Sequence, residues 1–423
     1  MYGQTSNPAS SEVELPADSQ GTDSHLRMPS SGARGTPRAK TATPGHKHVP
    51  ALDGIRGLAI GLVLLLHFVG NTQAYTSFER VLVKGANYGT YGVALFFVLS
   101  GYLITGILID AKGQPGYFRN FYARRSLRIF PLYYGVLVVG LWLWPAAWAP
   151  PELAVSRERQ AWLWGYVANF LVAKEQRWDA LPYFNHFWSL AVEEHFYFLW
   201  PLLVARSSAR GLLWWAGGLS LLALVLRVVL AADGAHELVT YTITPTRMDG
   251  LCLGGLLAAW ARRPNGLDQL KRWAPWVFAG SILYSVLGYV LVHRFAPDLH
   301  RVYFEVRETF VLLLFACLLV WVVTSPTESP LARFFTSSPM ITLGKYSYGL
   351  YVFHAMISWY FARQRTEDWV AAQVGSHTLA VFIQATVGVA ASFAIALLSF
   401  HFIEKRFLSL KSRFEAKPHS ARA

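Results

Sequence analysis

Polar residues in this chain are largely confined to the gaps between long apolar runs. A helix needs about 20 mostly apolar residues to cross a bilayer. Runs suited to that task lie at 52–70, 89–110, 129–147, 187–205, 212–232, 247–260, 273–293, 308–324, 341–361 and 377–400. The pattern predicts an all-α polytopic membrane protein with about ten transmembrane helices. A shorter apolar stretch, 161–173, could be an eleventh span.

Charge decides that point. With 161–173 kept out of the count and the N-terminus inside, the inward-facing segments carry 23 Lys plus Arg and the outward-facing loops 11. Counting it as a span would turn the Arg262-Arg263…Lys271-Arg272 loop and the basic C-terminus outward, against the positive-inside bias. The expectation is therefore ten spans with both termini cytoplasmic, in a cell inner (cytoplasmic) membrane. Segment 161–173, with Trp162 and Trp164, is then interfacial or re-entrant.

Composition agrees with lipid as the solvent. Charged residues make up 15% of the chain, against about a quarter in soluble domains. The net charge of +13 does not imply nucleic acid, because the basic residues flank apolar runs, as at the cytoplasmic ends of membrane helices. Residues 1–48 are rich in Ser, Pro, Gly and Thr and read as a disordered cytoplasmic tail. The transmembrane domain is expected over 49–407, with a basic cytoplasmic tail at 408–423. Cys252 and Cys317 each sit in an apolar run without metal-type spacing, so neither a metal site nor a disulfide framework is expected.

Ionisable groups within a span are costly and mark function. The first span opens Leu52-Asp53-Gly54-Ile55-Arg56-Gly57 and ends near His67. Arg56 and His67, eleven residues apart, fall on one helix face about 16 Å apart along the axis. Arg56 lies toward the cytoplasm, with Asp53 placed to pair with it, and His67 lies toward the outside. Taken singly, Arg56 reads as a snorkelling arginine and His67 as a satisfied bundle histidine. The fourth span changes that balance. It carries Glu193-Glu194 about two turns in from the outer side, at roughly the depth expected for His67. A carboxylate beside a histidine orients the ring and raises its basicity, which is what general-base activation of a hydroxyl needs.

Further polar positions fit around that pair. Ser100, next to Gly101 in the second span, reads as a helix-packing residue in preference to a nucleophile. Arg125 and Arg128 lie in the aromatic-rich cytoplasmic stretch Tyr117 to Pro131. Guanidinium forks there suit phosphate oxygens. Arg247, Asp249, Tyr348 and His354 are possible cavity-lining residues, together with Asp53 and Ser100. No Walker loop, GxSxG elbow or HExxH occurs, which argues against an ATP-driven pump, a common hydrolase and a zinc protease.

Taken together, these motifs resemble the acyltransferase 3 family of integral-membrane O-acyltransferases, over about Ala51 to Phe407. The first-span element with its histidine is Leu52 to Arg56 and His67. FFxxSG is Phe96 to Gly101, and RxxR is Arg125 and Arg128. WSLxxEEQFY is Trp188 to Tyr197, with His195 where the family usually has Gln. RMDGLCLGG (Arg247 to Gly255), GKYSYGLYVFH (Gly344 to His354) and the closing FIEKRF add to the likeness. The resemblance implies that His67 is essential for transfer and that Arg56, Arg125 and Arg128 serve the acyl donor. Some members carry a fused periplasmic SGNH hydrolase-like domain; this chain ends soon after its last span, and none is expected.

The expected reaction is acyl transfer, with acetyl-CoA the first choice of co-substrate and no bound cofactor. The expected acceptor is a hydroxyl of a carbohydrate or lipid-linked glycan of the envelope, with His67 as base and Glu193 or Glu194 beside it. Transfer is either direct or through an acyl-enzyme on His67. Membrane lipid surrounds the protein, and an envelope-side partner protein is a further expected contact. The alternatives are a longer acyl or succinyl donor, a small secondary metabolite as acceptor, and a transporter that performs no chemistry.

Overall fold

A computed structural model describes residues 49–145 and 149–414. The expected N-terminal tail, 1–48, and residues 415–423 lie outside the described residues. All regular structure among the described residues is helical. The elements are α1 (Pro50–Leu65), α2 (Ser77–Asn87), α3 (Tyr91–Ala111), α4 (Tyr117–Leu137), α5 (Leu153–Glu158), α6 (Gln160–Trp164), α7 (Ala168–Glu175), α8 (Phe187–Arg206) and α9 (Ala209–Ala232). They continue with α10 (Glu237–Thr242), α11 (Thr244–Ala261), α12 (Gly266–Phe295), α13 (His300–Thr324), α14 (Pro330–Phe335), α15 (Ser338–Gln364), α16 (Thr366–Val374), α17 (His377–Ser399) and α18 (Lys405–Ser409). Starts follow local chemistry. Pro50 opens α1, where its missing N–H costs nothing. Thr76 and Glu79 form a reciprocal capping box at α2.

Seven stretches among the described residues are long and apolar enough to cross a bilayer. The other three expected spans, 187–205, 247–260 and 341–361, form α8, α11 and α15, of 20, 18 and 27 residues. At 1.5 Å per residue the shortest of these reaches about 27 Å. They differ from the seven in composition, because they carry glutamates, arginine, aspartate and histidine into the protein interior. The protein is therefore an all-α multi-pass membrane protein. Segment 161–173 is split between α6 and α7, of 5 and 8 residues, broken at Tyr166 with its positive φ of 54°. Neither piece has the length of a span.

Packing sorts the helices by polarity. α12 exposes Trp276, Leu283, Val286 and Val290, and packs mainly along α13. A helix so apolar on its open side faces lipid. The central helices instead pair closely, α1 with α15 and α3 with α11. Lipid supplies no hydrophobic drive between helices, so contact depends on small residues that let backbones approach. A Cβ on Gly344 of α15 would lie 1.8 Å from the Asp53 carbonyl oxygen of α1, and one on Gly101 of α3 would lie 1.8 Å from that of Leu251 on α11. Only glycine fits either position. Gly101 thus serves helix packing, as expected of this element, and turns its neighbour Ser100 inward.

Gly344→Val should cost at least the ~1–3 kcal/mol typical of overpacking, because the obstacle is backbone. Thermal unfolding in detergent should show a lowered midpoint, whereas Gly217→Ala on α9, where a Cβ meets open space, should leave it unchanged.

Candidate active site

The C-terminal end of α1 widens into a π turn, Leu66–Gly70, that carries His67. Such insertions re-aim side chains and recur at functional sites. His67 Nδ1 lies 2.9 Å from the Val63 carbonyl oxygen. A carbonyl only accepts, so Nδ1 must donate, and Nε2 keeps the lone pair of a base. Ser358 of α15 fixes the same turn by donating to the His67 carbonyl at 2.8 Å. The ring stands edge-on to His354, with centroids 4.6 Å apart and planes at 89°.

Toward the other end of α1 lies a narrow cavity of about 110 Å³, lined by Arg56, Ser100, Arg125, Arg128, Glu193, Glu194, Tyr197 and Tyr348 among others. Five elements contribute. α1 brings Arg56, which pairs with Asp53 one turn earlier. α4 brings Arg125 and Arg128, with the Arg125 guanidinium 4.9 Å from the centre of the Tyr197 ring. α8 brings both glutamates and Tyr197, whose hydroxyl is bonded to Ser100 of α3. α15 brings Tyr348, which donates to the Ile129 carbonyl at 2.7 Å. Arg56, Arg125 and Arg128 lie within electrostatic reach of one another, an arrangement that suits a polyanionic ligand.

His67 faces a second and larger cavity of about 570 Å³. Its volume falls within the ~300–1,000 Å³ range of small-molecule sites. Trp178, Trp188 and Tyr241 form an aromatic cluster on one side, with ring centroids 5.1–6.3 Å apart. Asn71, Gln73, Asn185 and Gln384 supply amides, and Arg365, Glu367 and Asp368 supply charges. Val93 and Tyr351 line both cavities and form the wall between them. The Tyr351 hydroxyl is anchored by Ser189 at 2.5 Å and the His186 carbonyl at 3.0 Å.

This geometry changes several expectations. His67 and the glutamates do not share a cavity. His67 sits just past the C-terminal end of α1, whereas Glu193 is seven residues beyond His186 along α8, about 10 Å farther along that axis. Glu193 faces Ser100, Tyr197, Arg125 and Arg56, and the Val63 carbonyl takes the ring-orienting role expected of a carboxylate. Asp53 pairs with Arg56 but lines neither cavity. Arg247 and Asp249 also line neither. Arg247 reaches Glu308 at 3.1 Å and the Tyr241 ring at 4.6 Å. Asp249 holds Arg227 at 2.5 Å. His354 is fully buried behind His67 and opens to neither cavity. Ser100 and Tyr348 line the narrow cavity. His195 turns away to Thr244 at 2.6 Å, so its departure from the family pattern leaves both cavities unaltered.

Sequence reading overlooked Arg227, His186, Tyr351 and Lys411. Arg227 was legible as a lone arginine in an apolar run. It is fully buried and also donates to the Thr246 carbonyl at 2.7 Å and to Thr309 at 2.6 Å. Lys411 was hidden in the stretch read as tail. Residues 405–414 are instead helical turns packed on α4, which bring Lys411 within electrostatic reach of Arg124, Arg125, Arg128 and Arg56.

The multi-pass bundle thus holds a cationic cavity toward one end of α1 and a histidine-bearing cavity toward the other. The model of the Acyl_transf_3 family, an acyltransferase domain, matches residues 49–401, and the chain belongs to that family. It is similar to the peptidoglycan O-acetyltransferase OatA of Listeria monocytogenes, with 31% identity over 379 residues, 86% of this chain and 56% of that protein. It is also similar to the O-acetyltransferase OatA of Staphylococcus aureus, with 28% identity over 325 residues, 73% of this chain and 50% of that protein. The chain thus spans about half the length of the curated relatives it matches. No solved structure matches it.

Arg227→Met would leave Asp249 buried without its ion-pair partner, whereas Glu305 keeps Arg301 at 3.1 Å. Breaking a buried pair on one side costs about 3–5 kcal/mol. The variant should lose folded protein on size-exclusion chromatography in detergent, while Arg80→Met on exposed α2 should not.

Proposed function

We propose that the protein is an O-acyltransferase of the cell inner membrane, with both termini cytoplasmic. In this reading it moves an acetyl group from cytoplasmic acetyl-CoA to a hydroxyl of an envelope carbohydrate such as peptidoglycan. The observation that carries the reading is the pair of cavities that meet at Val93 and Tyr351. The names of the relatives support acetyl as the group and an envelope glycan as the acceptor.

The donor side follows from charge. The phosphates of coenzyme A bind at the cytoplasmic mouth on Arg56, Arg125, Arg128 and Lys411, where guanidinium forks give two-point contacts. The inner cavity is narrow enough to admit only the thioester end. The acceptor side follows from size and lining. The outer cavity is several times larger, and its aromatic faces and amides suit a sugar ring and its hydroxyls. His67 Nε2 takes the proton from the acceptor hydroxyl. The freed oxygen attacks the thioester carbonyl, the C–S bond breaks, and coenzyme A leaves as a thiolate that regains the proton. The products are an acetyl ester and free coenzyme A. General-base help of this kind is worth about 10²–10⁴-fold.

Membranes holding the wild type, supplied with radiolabelled acetyl-CoA, should place label in the glycan or lipid-linked fraction, and His67→Ala should lower that rate by at least ~10²-fold. Unchanged labelling with His67→Ala would overturn the assignment of the base. Arg128→Ala should raise KM for acetyl-CoA about tenfold, the loss of roughly one charge-assisted contact of ~1.4 kcal/mol. Val93→Trp should fill the wall and abolish labelling while acetyl-CoA still binds.

A further inference from the structure

The two histidines beside His67 are held in the same way as His67 itself. His354 on α15 is 0% exposed. Its Nδ1 lies 3.0 Å from the Leu350 carbonyl oxygen and 2.8 Å from that of Tyr351. Carbonyls only accept, so Nδ1 bears the hydrogen and Nε2 bears the lone pair. His186, just before α8, places Nε2 at 3.0 Å from the Val352 carbonyl oxygen, which fixes the opposite tautomer. Ring centroids are 4.6 Å apart for His67 and His354, and 5.6 Å apart for His186 and His354. Three imidazoles are thus packed together, each bearing a hydrogen on the nitrogen that faces a carbonyl.

Of the three rings, His354 has a buried nitrogen, Nε2, without a hydrogen-bond partner. Buried acceptors are nearly always satisfied, and an exception calls for a physical reason. Packing gives none, because a phenylalanine or leucine would fill the same space without an orphaned lone pair. The groups around His67 narrow the choice. His354 and His186 are the titratable side chains against its ring, and its own Nδ1 is taken by Val63. Arg365, Glu367 and Asp368, at the start of α16, line the outer cavity with it. The glutamates line the other cavity.

We propose that His354 is a positioning residue for transfer, whose open Nε2 and perpendicular ring stabilise the imidazolium that His67 becomes on taking the acceptor's proton. This rests on the reading of His67 as the base. Perpendicular packing sets the edge of one ring against the face of the other. A neutral imidazole offers a cation either its lone pair or its electron-rich face, so the contact strengthens when His67 gains charge. His354 is cut off from solvent, so on that side of His67 fixed dipoles must do what solvent does elsewhere. An interaction that strengthens only as charge develops raises kcat and leaves ground-state binding alone.

The test compares His354→Phe, which keeps the ring and deletes the lone pair, with His354→Gln, which keeps an acceptor. Both are assayed as full-length protein in detergent or membranes, for label transfer from acetyl-CoA over pH 5–9 and for thermal midpoint. The expected result is a kcat about 10- to 100-fold down in His354→Phe, below the ~10²–10⁴-fold worth of the base itself. KM for acetyl-CoA should stay within twofold, the acid limb of the pH–rate profile should move to lower pH, and most of kcat should return in His354→Gln. A His354→Phe protein with wild-type kcat and pH profile would overturn the proposal. So would equal losses in both variants with an unmoved acid limb, which mark a structural role. If His354→Phe does not fold, His354→Gln decides: a kcat within about threefold of wild type supports the proposal, and a larger loss in folded protein overturns it. His67→Ala runs beside them. Full activity there sinks the underlying assignment of the base, whereas an inactive His67→Ala with a normal His354→Phe sinks only the present inference.

Discussion

Backbone-to-backbone contact between α1 and α15 governs this site. Gly344 lies where any Cβ would strike the Asp53 carbonyl, so the two helices run at the closest separation that helices allow. Side chains from both then project into the same interior. α1 contributes Arg56 and His67, and α15 contributes Tyr348, Tyr351 and His354. The latter three are spaced at i, i+3 and i+6, about 4.5 Å apart along the axis, and they occupy three successive depths. Tyr348 lines the inner cavity, Tyr351 the wall, and His354 the space behind His67. A wider spacing between α1 and α15 would separate these levels from the residues they serve. Gly101 does the same for α3 and α11, and so aims Ser100 at Tyr197.

Much of this was legible in the sequence. Run length located the helices, including α8, α11 and α15, whose polar content disguises them. The cost of charge in lipid singled out Arg56, His67 and the glutamates, and Asp53 does pair with Arg56. Motif order identified the family. Depth was harder to read. Sequence sets rise along one helix but not the offset between two, so Glu193 was placed level with His67 when it lines the cavity that Arg56 shares. The π turn at 66–70 was also invisible, because nothing in Leu66-His67-Phe68-Val69-Gly70 marks a widened turn.

Charged residues proved the most ambiguous. Arg247 and Asp249 looked like cavity residues, yet they belong to a buried network with Arg227, Glu305 and Glu308 that ties α9, α11 and α13 together. Arg56, Arg125 and Arg128 carry the same kind of charge and face a cavity. The difference lies in partners supplied by distant helices. Lys411 makes the same point in reverse: its neighbours on α4 come from nearly three hundred residues earlier in the chain, and no local pattern announces the fold-back.

The wall of Val93 and Tyr351 has a bearing on the cell's energy supply. A continuous aqueous bore through the bundle would conduct protons and dissipate the gradient that the membrane maintains. Two chambers separated by a valine and a tyrosine leave no open bore at that level, and in the reaction proposed above a small uncharged group would change carriers across the partition. In that reaction the charged donor stays on one side of the partition and only the acyl group crosses.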